Sequence, residues 1–215
     1  MTPEALAFRS ADGLRLEGAW DDAARERRAV VVICHPHPEM GGTMNAPLLL
    51  ALRDDLVARG WAVLRFNFRG NGSSEGGFGM GTDEVADAQA AVATARDRAP
   101  GTPLALVGWS FGGAVAIRAA EMDDSLVGCA AVAPSVKAKA GVTAGLPPAD
   151  DLDLGVPLLF VCGGNDNVVS PEDCKTWIDA VPAGRYVEIS GANHFFWGRY
   201  DRLCSAVGDW LDDLV

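Results

Sequence analysis

Short apolar runs alternate with amphipathic segments along the chain, and this pattern predicts strands that alternate with helices. The run Val30-Val31-Val32-Ile33-Cys34 is β-branched over most of its length, which is typical of a strand buried on both faces. Further apolar runs that predict strands lie at 62–66, 104–107, 127–132, 158–162 and 185–189. The alternation indicates βαβ units around a mostly parallel sheet.

The start of the chain predicts a different arrangement. Residues 5–9 and 14–20, joined at Asp12-Gly13, predict an opening antiparallel hairpin. The helix signals between and after the strands predict helices at 45–59, at 82–98, from 170 onward and at 199–214.

The composition is that of one domain over residues 1–215. Hydrophobic residues make up 49% of the chain, which is enough for a large core without disulfides or metals. The five cysteines are widely spaced and form no Cys-x-x-Cys pair, so we expect neither a disulfide framework nor a zinc site. Cys34, Cys129 and Cys162 lie in apolar runs and are expected to be buried.

Charge and hydropathy exclude some classes of partner. The formal net charge of −11 argues against a nucleic-acid partner, because phosphate binding needs a basic surface. The first residues resemble no signal peptide, and no apolar run approaches the roughly 20 residues that span a bilayer. We therefore expect no membrane partner and a cytoplasmic location.

The most informative motif is Gly108-Trp109-Ser110-Phe111-Gly112-Gly113, which follows the predicted strand at 104–107. A strand, then Gly-x-Ser-x-Gly, then a helix-compatible run is the arrangement of a nucleophile elbow. On such a turn the serine adopts an unfavourable backbone conformation, and the flanking glycines avoid the collisions that Cβ atoms would cause. Ser110 is therefore the candidate nucleophile.

A serine hydroxyl needs a base to remove its proton, and the base needs an orienting acid. In hydrolases with such an elbow, the nucleophile, the acid and the histidine follow each other along the chain at strand ends. Of the three histidines, only His194 follows the last predicted strand; the alternative for it is a surface-loop histidine. Asp166 follows the strand at 158–162, whereas the neighbouring aspartates precede that strand or belong to the next helix.

The tetrahedral intermediate of such a reaction needs two N–H donors for its oxyanion. The amide of Phe111 is one candidate, and the loop after the first buried strand supplies the other. Pro36 and Pro38 have no N–H, which favours His37, with Glu39 or Met40 as the alternatives. The side chains of His35 and His37 are only a weak signal for a metal site, because no third ligand lies nearby in sequence. A role in shaping the loop is favoured for both.

Two segments of the chain are irregular, and an aromatic triplet follows His194. The glycine-rich loop at 69–81 has Glu75 where a dinucleotide-binding loop has its third glycine, so nucleotide binding is not expected. The segment at 134–155 is the one stretch long enough to act as a small lid. Phe195, Phe196 and Trp197 are expected to pack in the core, with a substrate-wall role as the alternative.

Together these residues resemble the α/β-hydrolase superfamily over nearly the whole chain. The motif His35-Pro36-His37-Pro38 with Gly41-Gly42-Thr43-Met44-Asn45, followed by Arg65-Phe66-Asn67-Phe68-Arg69-Gly70, is similar to a group of small bacterial hydrolases without a lid. The resemblance implies an α/β fold with an eight-stranded, mostly parallel sheet, helices on both faces and no large cap. It also implies Ser110 as nucleophile, Asp166 as acid and His194 as base.

We therefore expect a serine hydrolase that cleaves a small-molecule carboxylic ester or thioester, with a small acyl group, through an acyl-enzyme. No metal or organic cofactor is expected. A peptidase or amidase of the same fold stays open, because the motifs do not distinguish the leaving group. A non-catalytic binding module is less favoured, because a binder has no need of all three residues. The sequence determines neither the natural substrate nor the oligomeric state.

Overall fold

The computed structural model describes residues 2–215, and all of its strands belong to one sheet. The strands are β1 (Glu4–Arg9), β2 (Arg15–Asp21), β3 (Ala29–Cys34), β4 (Trp61–Phe66), β5 (Leu104–Trp109), β6 (Gly128–Val132), β7 (Leu158–Gly163) and β8 (Gly184–Ile189). Their order in the eight-stranded sheet is β1-β2-β4-β3-β5-β6-β7-β8. Strand β2 runs antiparallel to β1 and β4, and the other pairings are parallel. The predicted fold class and opening hairpin are confirmed.

Helices cover both faces of the sheet. They are α1 (Pro47–Arg59), α2 (Glu84–Arg98), α3 (Phe111–Ala120), α4 (Pro171–Asp179) and α5 (Tyr200–Asp212). Alternate residues of β3 pack against α2 and α3 on one face and against α1 and α5 on the other. This two-sided burial explains the continuous apolar sequence of the central strands.

The observed ends of the elements differ from the predicted ends by a few residues. Helix α1 begins at Pro47 rather than at residue 45, because Ala46 is extended (φ −56°, ψ 136°) and proline suits a first helical position. It ends at Arg59, as predicted, and Gly60 caps it with a left-handed φ of 95°. Strand β5 continues through Trp109, because that residue still pairs with Val132 of β6.

The central strands create a crevice at one edge of the sheet. Strands β3 and β5 are parallel neighbours, but the chain leaves β3 toward α1 on one face and leaves β5 toward α3 on the other. Connections that diverge in this way open a crevice at the carboxyl ends of the strands. The elbow, the loop after β3 and the loops after β7 and β8 all start at that edge.

Residues 134–155 run beside this edge without forming an α-helix. Hydrogen bonds tie the segment to the rest of the protein at several points: Ser135 N–H donates to the Ser110 carbonyl, and Ala144 N–H donates to that of Met80. The Arg118 guanidinium donates to the Gly145 carbonyl at 2.8 Å, and the Trp177 indole N–H donates to that of Pro147 at 2.8 Å.

All five cysteines are buried as free thiols, including Cys34, Cys129 and Cys162 as predicted. Over residues 2–215, no helix combines the length and the apolar character that crossing a bilayer requires.

Candidate active site

Ser110 occupies a sharp turn between β5 and α3, with φ 56° and ψ −117°. The turn is possible because its neighbours are glycines. A Cβ on Gly108 would lie 2.1 Å from the Gly112 carbonyl oxygen, and a Cβ on Gly112 would lie 2.3 Å from that of His35. The strained serine is therefore held by close backbone contacts on both sides.

Ser110, His194 and Asp166 form a chain of hydrogen bonds. Ser110 Oγ lies 3.0 Å from His194 Nε2, and His194 Nδ1 lies 2.7 Å from Asp166 Oδ2. All three side chains are buried to more than nine-tenths. Because the carboxylate accepts at Nδ1, that nitrogen carries the proton and Nε2 accepts from the serine hydroxyl.

Asp166 and His194 are each held by a further contact. The second carboxylate oxygen of Asp166 accepts the N–H groups of Val168 at 2.8 Å and Val169 at 2.9 Å. The His194 carbonyl accepts the Trp109 indole N–H at 3.2 Å, which ties the loop after β8 to the end of β5. The three residues come from three separate strand ends and are held together by this set of hydrogen bonds.

The loop after β3 (residues 35–46, the β3 loop) presents one unpaired amide beside Ser110. Glu39 N–H donates to His37 Nδ1, and the N–H groups of Met40 and Gly42 donate to the His37 carbonyl. Among residues 2–215, the N–H groups of His37 and Phe111 make no hydrogen bond. Of the predicted candidates in the loop, Glu39 and Met40 are therefore already engaged.

The rings of His35 and His37 both make hydrogen bonds that hold the β3 loop in place. His35 donates from Nδ1 to the Pro36 carbonyl at 2.6 Å and accepts the Phe68 N–H at Nε2 at 3.0 Å. His37 donates from Nε2 to the Val142 carbonyl at 2.8 Å, and its ring lies against Phe111. Every ring nitrogen has a protein partner, which supports the loop-shaping role and leaves no ring nitrogen for a metal.

The polar residues at the end of β4 brace the same loop. Buried Arg65 pairs with Asp21 at 2.9 Å and donates to the Met44 carbonyl at 3.0 Å. Asn67 accepts the Met44 N–H at 2.9 Å, and Asn71 donates to the Gly42 carbonyl at 2.6 Å. Buried polar groups cost free energy unless they are paired, so these side chains define one position for the loop.

Two clefts meet at Ser110. The first, which we call the lysine cleft, has a volume of about 500 Å³ and is lined by residues that include Phe111, Val136, Lys137, Lys139, Thr143 and Asp173. The second, the aromatic cleft, has a volume of about 540 Å³ and is lined by residues that include Pro47, Leu48, Trp109, His194, Phe195 and Trp197. The two clefts share His37, Met40, Ser110 and Val168.

The prediction that residues 195–197 pack in the core is correct only for Phe196, which is fully buried. Phe195 is 41% exposed and Trp197 67% exposed, and both line the aromatic cleft. Phe196 has a positive φ of 52°, which turns it inward while its neighbours face the cleft. An apolar triplet cannot reveal such an alternation, because the turn that causes it is a tertiary feature.

The comparison with protein families agrees with this geometry. A family model described as Serine aminopeptidase, S33 (Hydrolase_4) matches residues 25–152, which is more than half of the chain. The chain belongs to the Hydrolase_4 family. The matched region includes Ser110 and ends before Asp166 and His194.

Relatives of this Hydrolase_4 member include solved structures. XC6422 of Xanthomonas campestris, an α/β serine hydrolase without a lid, is 25% identical with a TM-score of 0.88 over 100% of this chain and 96% of that one. An α/β serine hydrolase homologue of Coxiella burnetii is 31% identical with a TM-score of 0.83 over 96% of both chains. An uncharacterized protein of Rickettsia prowazekii, RP471, is 30% identical over 96% of this chain and 87% of its own length. The Hydrolase_4 member is thus an α/β serine hydrolase by fold and family.

The sequence pattern predicted no role for Arg65, Asn67 or Asn71, although the first two lie in the motif at 65–70 that carries the resemblance. A usable signal was present, because an arginine inside the apolar run of β4 needs a buried partner. The identity of that partner, Asp21 of β2, depends on the strand order.

Burial gives His35 a testable effect on the stability of this Hydrolase_4 member. Desolvation of the ring lowers the pKa of His35 from 6.5 to about 4. Between these two pH values the unfolded chain binds a proton that the folded chain does not, so the free energy of unfolding decreases as the pH falls. The contribution of His35 to the free energy of unfolding is fully present above pH 6.5. Between pH 6.5 and about pH 4 it decreases by at most about 1.4 kcal/mol per pH unit.

Urea denaturation at several pH values between 4 and 8 measures this effect. His35→Asn keeps a donor near the Pro36 carbonyl but removes the titrating ring. We expect the variant to be less stable at pH 8 and to show a shallower loss of stability below pH 6.5 than the wild type. Parallel stability curves for the two proteins would contradict the assignment.

Proposed function

We propose that the protein hydrolyses a carboxylic ester or thioester through an acyl-enzyme on Ser110. The observation that carries this proposal is the pair of hydrogen bonds, 3.0 Å from Ser110 Oγ to His194 Nε2 and 2.7 Å from His194 Nδ1 to Asp166. The series of hydrogen bonds ends at Ser110, where the two clefts meet, so the serine is accessible to a substrate. A binding module would have no use for all three groups in this arrangement.

In the acylation step, Ser110 Oγ attacks the carbonyl carbon of the substrate while His194 Nε2 takes the hydroxyl proton. Asp166 remains ionised, keeps the proton of the neutral ring on Nδ1 and stabilises the imidazolium that forms. The oxygen of the tetrahedral intermediate becomes negatively charged. We assign the N–H groups of Phe111 and His37 as its donors, because both lie beside Ser110 and have no other acceptor among the described residues.

The intermediate then collapses, and the bond between the carbonyl carbon and the leaving oxygen or sulfur breaks. His194 gives its proton from Nε2 to that atom, which leaves as the neutral alcohol or thiol. A water molecule next gives its proton to His194 and attacks the acyl carbon through the same oxyanion contacts. The bond between the acyl carbon and Ser110 Oγ then breaks, Oγ takes the proton back from His194, and the acid product leaves.

The family description raises an aminopeptidase as the second candidate function. Such an enzyme must bind the α-ammonium group of its substrate, which calls for a free carboxylate near the nucleophile. Within residues 2–215, the carboxylates lining the two clefts are Asp166, which is held by His194, and Asp173, which pairs with Lys137 at 2.8 Å. Lys139 adds a positive charge to the same cleft. These charges support ester or thioester hydrolysis over aminopeptidase activity.

The acyl group of the substrate is proposed to occupy the lysine cleft and to be short. This cleft contains the proposed oxyanion donors, and its apolar part is formed by side chains such as Phe111, Val136 and Val142. Its outer part carries the exposed lysines Lys137 and Lys139. A long alkyl chain would have to pass these charges into water, which removes the benefit of its burial. We propose that residues 134–155 act as a fixed wall of this cleft, since several hydrogen bonds hold them to the body.

Covalent labelling tests the nucleophile. A fluorophosphonate probe is expected to label the wild type on Ser110, as located by mass spectrometry of the tryptic peptides. Ser110→Ala should abolish labelling, whereas Ser135→Ala, which changes another serine of the lysine cleft, should retain it. A folded wild type that reacts with none of several such probes would contradict the proposed function.

The donor role of the His37 amide has its own test, because this residue has φ −49°, which a proline can adopt. His37→Ala removes the ring and keeps the N–H, and His37→Pro removes both. We expect kcat for an ester to be about 100-fold or more lower in His37→Pro than in His37→Ala, which is the typical effect of losing one oxyanion donor. Equal kcat values in two folded variants would exclude this amide as the donor.

Paired substrates distinguish the two candidate activities. The wild type is expected to hydrolyse 4-nitrophenyl acetate and to leave L-alanine 4-nitroanilide unchanged, because residues 2–215 offer no free carboxylate in the clefts to the α-ammonium group. Release of 4-nitrophenol and of 4-nitroaniline is followed by absorbance. Comparable kcat/KM values for the two substrates would favour the aminopeptidase.

A further inference from the structure

Exposed apolar side chains gather around the nucleophile. Over residues 2–215, seven large hydrophobic side chains are exposed, and Met40, Val168, Phe195 and Trp197 are the four that line the clefts at Ser110. Of the six tryptophans, Trp197 is the one that is mostly exposed. Exposed apolar surface has a cost in water, so its concentration at a site indicates contact with a ligand.

Phe195 and Trp197 form a stacked aromatic pair in the lining of the aromatic cleft, which we call the platform. Their rings are stacked, with centroids 5.0 Å apart and an interplanar angle of 16°. The Asn193 side-chain oxygen accepts the backbone N–H groups of both residues, at 3.1 Å and 3.4 Å, and buried Phe196 anchors the loop between them. The platform is therefore preorganised, and a ligand loses little free energy in ordering it.

The position of His194 decides which part of the substrate meets this platform. The ring of Phe195 packs edge-on against that of His194, with centroids 5.5 Å apart. His194 lines the aromatic cleft and is not among the residues that line the lysine cleft. Because the leaving atom must receive its proton from His194 Nε2, the group attached to that atom extends into the aromatic cleft.

We propose that Phe195 and Trp197 bind the leaving group, and that the substrate is an ester of a bulky apolar alcohol, preferably an aromatic one. Among the described residues that line the aromatic cleft, none is Asp, Glu, Lys or Arg, so the cleft offers no partner to a charged alcohol. An aromatic ring on the platform would gain both apolar burial and ring–ring contact. This inference rests on the proposed function, and it assigns specificity to the leaving group.

Acetate esters that differ only in the alcohol provide the test. Benzyl acetate, cyclohexylmethyl acetate and methyl acetate give the same acetyl-enzyme, and benzyl alcohol and methanol are of similar acidity. Differences in kcat/KM therefore report binding of the leaving group during acylation. We expect the wild type to favour benzyl over methyl acetate at least about tenfold, with cyclohexylmethyl acetate in between.

Variants of the platform separate binding from folding. Trp197→Ala should lower kcat/KM for benzyl acetate about tenfold more than for methyl acetate, and Trp197→Phe should restore most of the preference. Met122→Ala removes a side chain that is 64% exposed and lines neither cleft, and it should leave the benzyl-to-methyl ratio unchanged.

The outcomes distinguish this inference from the proposed function. Hydrolysis that depends on Ser110 but shows no benzyl preference, or a preference that survives Trp197→Ala, would overturn the inference alone. A wild-type dimer that dissociates in Trp197→Ala would also overturn it, because a second copy would then cover the platform. The absence of both ester hydrolysis and fluorophosphonate labelling would remove the proposed function as well.

Discussion

The close contact between the end of β3 and the start of α3 is the constraint on which the site depends. Gly112 packs against the carbonyls of Cys34 and His35, where a Cβ would lie within 2.5 Å of either oxygen. This contact holds Ser110 at a positive φ and brings the amides of Phe111 and His37, which have no hydrogen-bond partner among residues 2–215, to one cleft. A side chain larger than hydrogen would separate the elbow from the β3 loop, since backbone atoms cannot yield as a flexible side chain can.

Buried polar groups fix the conformation of the β3 loop, which forms one side of this contact. The β3 loop carries prolines on both sides of His37, which remove two competing N–H groups, and the amides of Glu39, Met40 and Gly42 are used within the loop. Arg65 and Asn67 of the neighbouring strand end then hold it through Met44. A charged or amide group inside the protein is costly unless each partner is present, so the loop has one well-satisfied arrangement. Electrostatic stabilisation of a developing oxyanion needs donors that are fixed in this way before the substrate arrives.

The two clefts differ in chemistry, although they meet at one serine. The lysine cleft mixes apolar side chains with Lys137, Lys139 and Asp173, whereas the aromatic cleft is lined by uncharged residues. Such asymmetry suits a substrate whose two ends differ in polarity, because each end is desolvated in different surroundings. In the reaction that we propose, the position of His194 in the aromatic cleft would place the leaving group there, since His194 delivers the proton to the leaving atom.

The sequence by itself determined the alternation of strands and helices, the hairpin, the elbow at Ser110 and the order in which Asp166 and His194 follow it. These features are local or periodic, because burial on two faces requires continuous apolar runs and a sharp turn requires glycine. The tertiary structure alone decided that the amides of Glu39 and Met40 have partners while that of His37 has none among the described residues, and that Arg65 pairs with Asp21. It also decided that Phe195 and Trp197 leave the core while Phe196 enters it. Each of these depends on which strands are neighbours and on how a loop turns at its end, and contacts between distant parts of the chain leave no period in the sequence.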